Sequence, residues 1–412
     1  MVDVEDPLQV TRKPVYDTRV TSKEYHAYYP YPSAGFGTGM EIRIPIHHQD
    51  LYTLPHTSRL VLEGKLVKDP AADGTDGRKF NDDTHQLTTN GYAHLFAQIR
   101  YELNGVVVDQ VTDPGIATTL KGLASFEAGS AESGAAGGFL DTKDTWNVLT
   151  GAFWASIPLS NLLGIFEDFK KILINIRQEL VLLRANNNNN ALYSSDRTFG
   201  ISIEKIYWLM EHVSVDDKTR LALTDVLKND PWLELNFMSW ELHTYPTLLQ
   251  TKRHTWTVKT APQLETPRYV IVAFQTDRRN NKEKSNSGFD GVEIETVRLF
   301  LNGVPFPYNV PQLALKKGQW VFAYQMFCDF QKAYYEKLVS RPLVSPRYFY
   351  DHYPMFIINC SSQPETVKTG SVDVRLEWET LENIPAKTSA YCLILHERRV
   401  QYKPLTSAVQ VS

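Results

Sequence analysis

Arg100-Tyr-Glu-Leu-Asn-Gly-Val106 returns as Arg298-Leu-Phe-Leu-Asn-Gly-Val304, and this echo decides how the chain is organised. It sits within a longer series of echoes in the same order. Glu24-Tyr-His26-Ala-Tyr28 reappears as Glu241-Leu-His243-Thr-Tyr245, and Thr57-Ser-Arg59-Leu-Val-Leu62 as Thr266-Pro-Arg268-Tyr-Val-Ile271. Ile176-Arg-Gln-Glu-Leu180 reappears as Val374-Arg-Leu-Glu-Trp378. Each pair alone is weak; four in one order indicate two tandem copies of one fold, the second with shorter loops. A unit of roughly 200 residues far exceeds a solenoid repeat of about 20–50 and has the size of a domain.

The echoed segments read as strands. Glu41-Ile-Arg-Ile-Pro-Ile46 places Ile42, Ile44 and Ile46 on one face, and His254–Lys259 pairs Trp256 with Val258. Asp373–Glu379 turns Val374, Leu376 and Trp378 inward and Arg375, Glu377 and Glu379 outward. Alternation of this kind means one buried and one polar face, which favours antiparallel sheets. About eight strands are expected in each copy. In the first they centre near Tyr25, Ile44, Leu62, Tyr101, Val108, Phe153, the Ile172–Arg184 run and Ile203. In the second they centre near Leu242, Val258, Val270, Leu299, Phe306, Phe356, Arg375 and Leu393. Asn104-Gly105 and Asn302-Gly303 each stand between a pair of such runs, and Asn-Gly accepts the positive φ angles of a tight hairpin. Pro305 and Pro307 demote the run after the second hairpin to an edge or irregular strand.

A helix is expected after each hairpin. Asp113 is placed to cap, Pro114 suits the first helical position, and Ile116, Leu120 and Leu123 share a side. Trp320, Ala323, Phe327, Phe330 and Tyr334 have the same spacing in the second copy. Such residues pack a helix onto a sheet. A further helix is expected over Ser160–Phe169. Ser214 with Asp217 resembles a capping box, opening a helix over Asp217–Lys228 that ends at Asn229-Asp-Pro231; this is the joint between copies.

The chain has 412 residues, a net charge of −4, 42% hydrophobic and 12% aromatic residues. That suffices for two cores, and the charge argues against a mainly nucleic-acid-binding protein. Twenty-one tyrosines, with twenty-two prolines and as many glycines, suit a loop-rich all-β design. Cys328, Cys360 and Cys392 all lie in the second copy, an odd number without Cys-x-x-Cys, so a disulfide framework is not expected and assembly in a reducing compartment is. No apolar run has the length of a membrane span, and no leader-like stretch opens the sequence.

Candidate sites dissolve on inspection. His47 and His48 are adjacent and point to opposite faces of a strand, so they cannot share a metal. Asp69–Gly77 is rich in aspartate but lacks the spacing of a calcium loop. Arg278-Arg-Asn-Asn-Lys-Glu-Lys284 is short, contains Glu283 and lacks interleaved aromatics, so it reads as a solvated loop rather than a nucleic-acid contact. Asn186–Asn190, five asparagines in a row, reads as a loop between two long strands. Glu127–Gly138 reads as a mobile loop. The sequon Asn359-Cys-Ser361 ends an apolar strand and is taken as chance. No phosphate loop, nucleophile elbow or Cys/His dyad is found. No catalytic, cofactor-binding or metal residue is therefore assigned.

Arg253–Thr260, Pro267-Arg-Tyr-Val-Ile271, Phe274-Gln-Thr276 and Glu382–Cys392 resemble double jelly-roll proteins of arthropod genomes and Polinton-like or adintovirus-like elements. Leu103-Asn-Gly105, Thr119-Leu-Lys-Gly122 and Gln178–Arg184 look similar in the first copy. The resemblance spans roughly residues 23–405 and implies an all-β fold of two tandem antiparallel eight-stranded jelly rolls with short helices in the loops. It further implies a major capsid protein: pseudo-hexameric homotrimers that self-assemble into an icosahedral viral shell, inside a host cell, with penton or minor capsid proteins as further partners. No enzyme activity, cofactor, sequence-specific nucleic-acid binding or membrane span is expected. The competing reading is a jelly-roll carbohydrate-binding module or enzyme, or a domesticated element protein with a cellular role, because fold alone does not decide function. The expected division is an arm at 1–21, a first jelly roll at 22–213, a helical linker at 214–231, a second jelly roll at 232–405 and a tail at 406–412. The loops Asp69–Thr89 and Glu127–Asp144 are expected at one end of the molecule. The arm is expected on the inner face of the shell.

Overall fold

Strands that alternate apolar and polar residues can satisfy themselves only by pairing edge to edge and stacking face to face. In the computed structural model this happens twice, with the same wiring. The structure describes residues 19–31, 35–47, 52–68, 85–130, 137–139, 146–147, 149–196, 199–260, 267–306, 313, 318–362 and 372–411.

The first half contains β1 (Val20–Tyr28), β2 (Glu41–Ile46), β3 (Tyr52–Lys68), β4 (His85–Leu87), β5 (Phe96–Leu103) and β6 (Val106–Thr112). It continues through α1 (Pro114–Ser125), β7 (Ala152–Pro158), α2 (Gly164–Asp168), β8 (Gln178–Arg184), β9 (Leu192–Ser194) and β10 (Phe199–Val215). Helix α3 (Asp217–Leu227) leads to β11 (Leu233–Tyr245), β12 (Arg253–Thr260), β13 (Pro267–Thr276), β14 (Ile294–Leu301) and β15 (Val304–Phe306). The chain closes with α4 (Trp320–Tyr335), α5 (Pro346–His352), β16 (Met355–Asn359), β17 (Asp373–Thr380), β18 (Thr388–Tyr402) and β19 (Val409–Val411).

The sheets run β1-β10-β3-β7 and β2-β8-β5-β6 in the first half, and β11-β18-β13-β16 and β12-β17-β14-β15 in the second. Strands β4 and β9 form a small side pair, and β19 adds to β18. With those set aside, each half has eight strands in two antiparallel sheets. Numbered within its half, each has the order 1-8-3-6 and 2-7-4-5. This is the jelly-roll arrangement twice over. Every expected strand centre falls in a strand of this scheme, Tyr25 in β1 and Leu242 in the equivalent β11.

The two Asn-Gly hairpins match in detail. Leu103 pairs with Val106 and Leu301 with Val304. Asn104 and Gly105 sit at φ 47° and 81°, and Asn302 and Gly303 at 49° and 81°. Positive φ at both central residues gives the turn whose twist suits antiparallel strands. Beyond it β15 is three residues long and lies at the sheet edge, where its proline costs no ladder bond. Ile42, Ile44 and Ile46 are fully buried, as are Val374, Leu376 and Trp378 on β17. One continuous apolar core runs through both halves.

The helices required three corrections. Asp113 stands at the N-cap of α1 with φ 47°, and its side chain makes no cap hydrogen bond; it faces Arg279 instead, at 3.5 Å. The expected helix over Ser160–Phe169 is broken into a single turn at Leu159–Asn161 and the short α2, because Leu163 between them is extended. Helix α3 is capped by Asp216, whose carboxylate accepts from the Thr219 N–H, and not by Ser214. Ser214 is still held in β10 by its pairing with β1.

Candidate functional site

The two jelly rolls meet through a set of buried side-chain contacts. Helix α1 lies entirely buried and carries one cation, Lys121. Its Nζ donates to both carboxylate oxygens of Glu167 on α2, and to the Tyr335 hydroxyl of α4 at 2.7 Å. The Tyr335 hydroxyl in turn donates to Glu167 at 2.5 Å. The ammonium stands 4.8 Å from the Trp240 ring centre on β11 and 5.0 Å from that of Tyr334, within cation–π range. Burial lowers the Lys121 pKa while Glu167 opposes that shift. Burial drives the Tyr335 hydroxyl far up, so it stays a donor. Four elements from both halves thus converge on one charge.

A second buried group lies beside it. Asp109, on β6, accepts from the Ser239 hydroxyl of β11 at 2.7 Å, the Ile165 N–H of α2 at 3.1 Å and the Gln110 N–H at 3.0 Å. Burial pushes its carboxyl up to about 6, against those hydrogen bonds, which favour the charged form. Close by, Asp168 accepts from the Met238 N–H at 2.8 Å. Gly164 allows this approach: a Cβ there would stand 1.7 Å from the Met238 carbonyl oxygen.

Further ties close the seam elsewhere. Gln331 of α4 donates to the Phe126 carbonyl at 2.8 Å and accepts from Ser340 and the Arg341 N–H. The Tyr402 hydroxyl accepts from the Ile174 N–H at 3.2 Å, and Asn175 and Asn104 donate to the Pro404 and Ser407 carbonyls. On another side Thr88 meets Ser285 at 2.6 Å, and His94 meets Ser287 at 3.0 Å. Burial lowers the His94 pKa to about 3, so this imidazole is neutral. Buried polar contacts on this scale favour a single relative placement of the two bodies.

The sequence motifs are scattered over the fold. His47 is exposed just after β2; His48 and Asp69–Gly77 lie outside the described residues. Arg278–Lys284 is only partly the solvated loop expected. Arg278 grips Asp290 through two bonds of 3.0 and 2.7 Å, Lys282 donates to the Phe199 carbonyl at 2.6 Å, and the Ser194 N–H donates to the Lys282 carbonyl. Through Lys282 and Arg279, the latter 3.5 Å from Asp113, the loop crosses to the first jelly roll, while Arg278 and Lys284 pair within the second. The asparagine run begins as a loop but closes in a 3-10 turn at Asn189–Ala191 that leads into the three-residue β9 rather than a long strand, and it docks on the same segment: the Asn280 N–H donates to Asn190 at 2.6 Å. Of Glu127–Gly138, residues 131–136 lie outside the described residues; Glu127 bonds Lys337, and the Gly138 carbonyl accepts from the Asn90 N–H. Asn359 of the sequon accepts from both the backbone and the hydroxyl of Ser361.

Among the described residues no cluster of three or more His, Cys, Asp or Glu could hold a metal. All three cysteines are free thiols. Burial raises the Cys392 and Cys328 pKa values, so neither is an activated nucleophile. No described helix is long and apolar enough to cross a membrane.

What the molecule presents is two sandwiches of one design, fused side by side. The sequence matches the double jelly roll-like domain over residues 85–400. The chain belongs to that family. Solved structures share its fold over nearly its whole length. The PBCV-1 virus capsid is 10% identical, with 97% of this chain and 98% of that chain covered and a TM-score of 0.63. The Sputnik virophage chain is 12% identical, with 100% and 93% covered and a TM-score of 0.61. The mavirus major capsid protein is 11% identical, with 98% and 91% covered and a TM-score of 0.54. At such identities the shared property is the fold. A comparison with curated proteins finds no match.

Proposed function

We propose that this protein is a major capsid protein that assembles as a homotrimer and tiles an icosahedral viral shell. The observation that carries the reading is the repeated strand order of the two jelly rolls. Two like bodies locked side by side let three chains present six similar sandwiches, a pseudo-hexagon that packs against its neighbours. A rigid seam is what such a tile needs, since slack between its halves would blur every contact it makes. The whole-length likeness to the chains of the PBCV-1 virus capsid and the mavirus major capsid protein supports the same reading.

On this reading the role is structural rather than enzymatic, the location is the virion, and assembly takes place inside the host cell. The partners are further copies of the chain and penton or minor capsid proteins. The division into arm (1–21), first jelly roll (22–213), linker (214–231), second jelly roll (232–405) and tail (406–412) belongs to the same proposal. So does the expectation that the loops Asp69–Thr89 and Glu127–Asp144, of which 69–84, 131–136 and 140–144 lie outside the described residues, stand at one end of the molecule and lock the trimer or build its outer crown. Exposed apolar side chains supply contact surface, with Trp154 on the edge strand β7 68% exposed and Leu338 after α4 98% exposed. An obligate trimer should bury well over ~2,000 Å² per interface. Sedimentation of the purified chain tests this: the reading expects three 47.1 kDa chains moving together, and a stable monomer at micromolar concentration contradicts it.

A further inference from the structure

Between the jelly rolls lies an open cleft of about 840 Å³, within the range of small-molecule sites (~300–1,000 Å³). Its walls come from both halves: Tyr193 of β9 from the first, and Tyr348 and His352 of α5 from the second. Tyr193 is 40% exposed and Tyr348 45%, and the Tyr348 and His352 ring centres are 4.5 Å apart. Partly exposed aromatic rings beside polar groups suit a ligand that is apolar on one side and polar on its rim.

The polar lining is more specific. Arg278 spends three of its five N–H groups on Asp290 and the Ser285 carbonyl. Asp290 is fixed in turn by the Thr276 N–H at 2.7 Å. The result is a rigid guanidinium–carboxylate pair with donors and lone pairs to spare, in a wall of the cleft. Neighbouring hydroxyls of a sugar are donor and acceptor together and match such a pair. The charges in the lining balance: Arg278 and Lys284 against Glu283 and Asp290. A site for an anion would carry an excess of cations, and among the described residues the lining of this cleft has none.

We propose that the cleft is a binding site for a neutral saccharide, with a pyranose ring stacked on Tyr193 or Tyr348 and its hydroxyls on the Arg278–Asp290 pair. The proposal goes beyond the shell reading and is independent of it, since the described residues that line the cleft all belong to one chain.

Saturation-transfer NMR on the purified full-length chain tests it, with lactose, maltose, chitobiose and methyl mannoside as probes and sialyllactose as the charged control. At least one neutral probe should bind at millimolar concentration, and more tightly than sialyllactose. Tyr193→Ala or Tyr348→Ala should weaken that binding about tenfold, the loss of one aromatic platform. Tyr25→Ala, an exposed ring that does not line the cleft, should leave it unchanged. Both tyrosines are surface side chains, so these variants should fold, and far-UV circular dichroism checks that they do. Binding of no neutral probe overturns the proposal; so does binding that neither tyrosine variant weakens, or equal binding of sialyllactose. Sedimentation of the same samples reads the oligomeric state separately, so failure of the cleft and failure of the shell reading give different results.

Discussion

Asp109 is a carboxylate kept out of water by the seam, and its protonation has a definite sign. Its carboxyl titrates at about 6 in the folded chain against an ordinary 3.8. The folded state holds the proton more tightly, so this group favours folding fully below pH 3.8, and that contribution is lost as the pH rises through about 6. The gap corresponds to about 3 kcal/mol. Comparing melting temperatures from pH 4 to 7, Asp109→Asn should lack the fall in stability that Asp109 contributes to the wild type; an identical pH profile would refute the assignment. Lys121 should behave differently, since removing one member of a buried pair strands the other. Lys121→Met should cost about 3–5 kcal/mol in chemical unfolding, and adding Glu167→Gln should recover some of it. A second change that worsens the loss would show that Glu167 is not held by Lys121. Gly164→Ala meets the Met238 backbone and should cost about 1–3 kcal/mol or more by overpacking. Its melting temperature should fall visibly, and an unchanged one would mean that α2 can retreat from β11.

At the scale of elements, the strands were legible because their information is local. Ile42, Ile44 and Ile46 alternate within six residues, and the Asn-Gly turns announce their own φ angles. The seam was not legible, because its partners are far apart in sequence. Asp109 lies 130 residues from Ser239 and Lys121 lies 214 from Tyr335, and no periodicity links such pairs. A faint signal existed: an aspartate directly after Val106-Val-Val108, and a lysine between Leu120 and Leu123 in a helix otherwise without charge. Buried charges at such positions need partners. The Ser214 cap was misplaced for a related reason, since β10 runs further than its own sequence requires because β1 pairs with it. Helix α4 provides the element-scale test. Gln331 is itself buried and joins it to the end of α1 and to Ser340 and Arg341, so Gln331→Ala removes several bonds to partly buried groups and should cost about 1–3 kcal/mol in urea unfolding. A loss below about 0.5 kcal/mol, the ordinary level for a surface change, would mean that water replaces the glutamine.

The whole molecule is a duplicated sandwich with its halves pinned by buried charge, and its proposed use is repetition once more, in a trimer and then a shell. In this proposal the arm (1–21) serves that last step: deleting residues 1–20 should leave the trimer intact and impair shell formation, and loss of the folded monomer would make the arm a piece of the first core instead. The central claim is the tile itself. Negative-stain electron microscopy of the purified protein, with its mass checked by sedimentation, addresses it most directly. The account predicts particles of three chains with a six-lobed outline, passing to closed shells as concentration rises. Separate two-lobed monomers under every condition would contradict it.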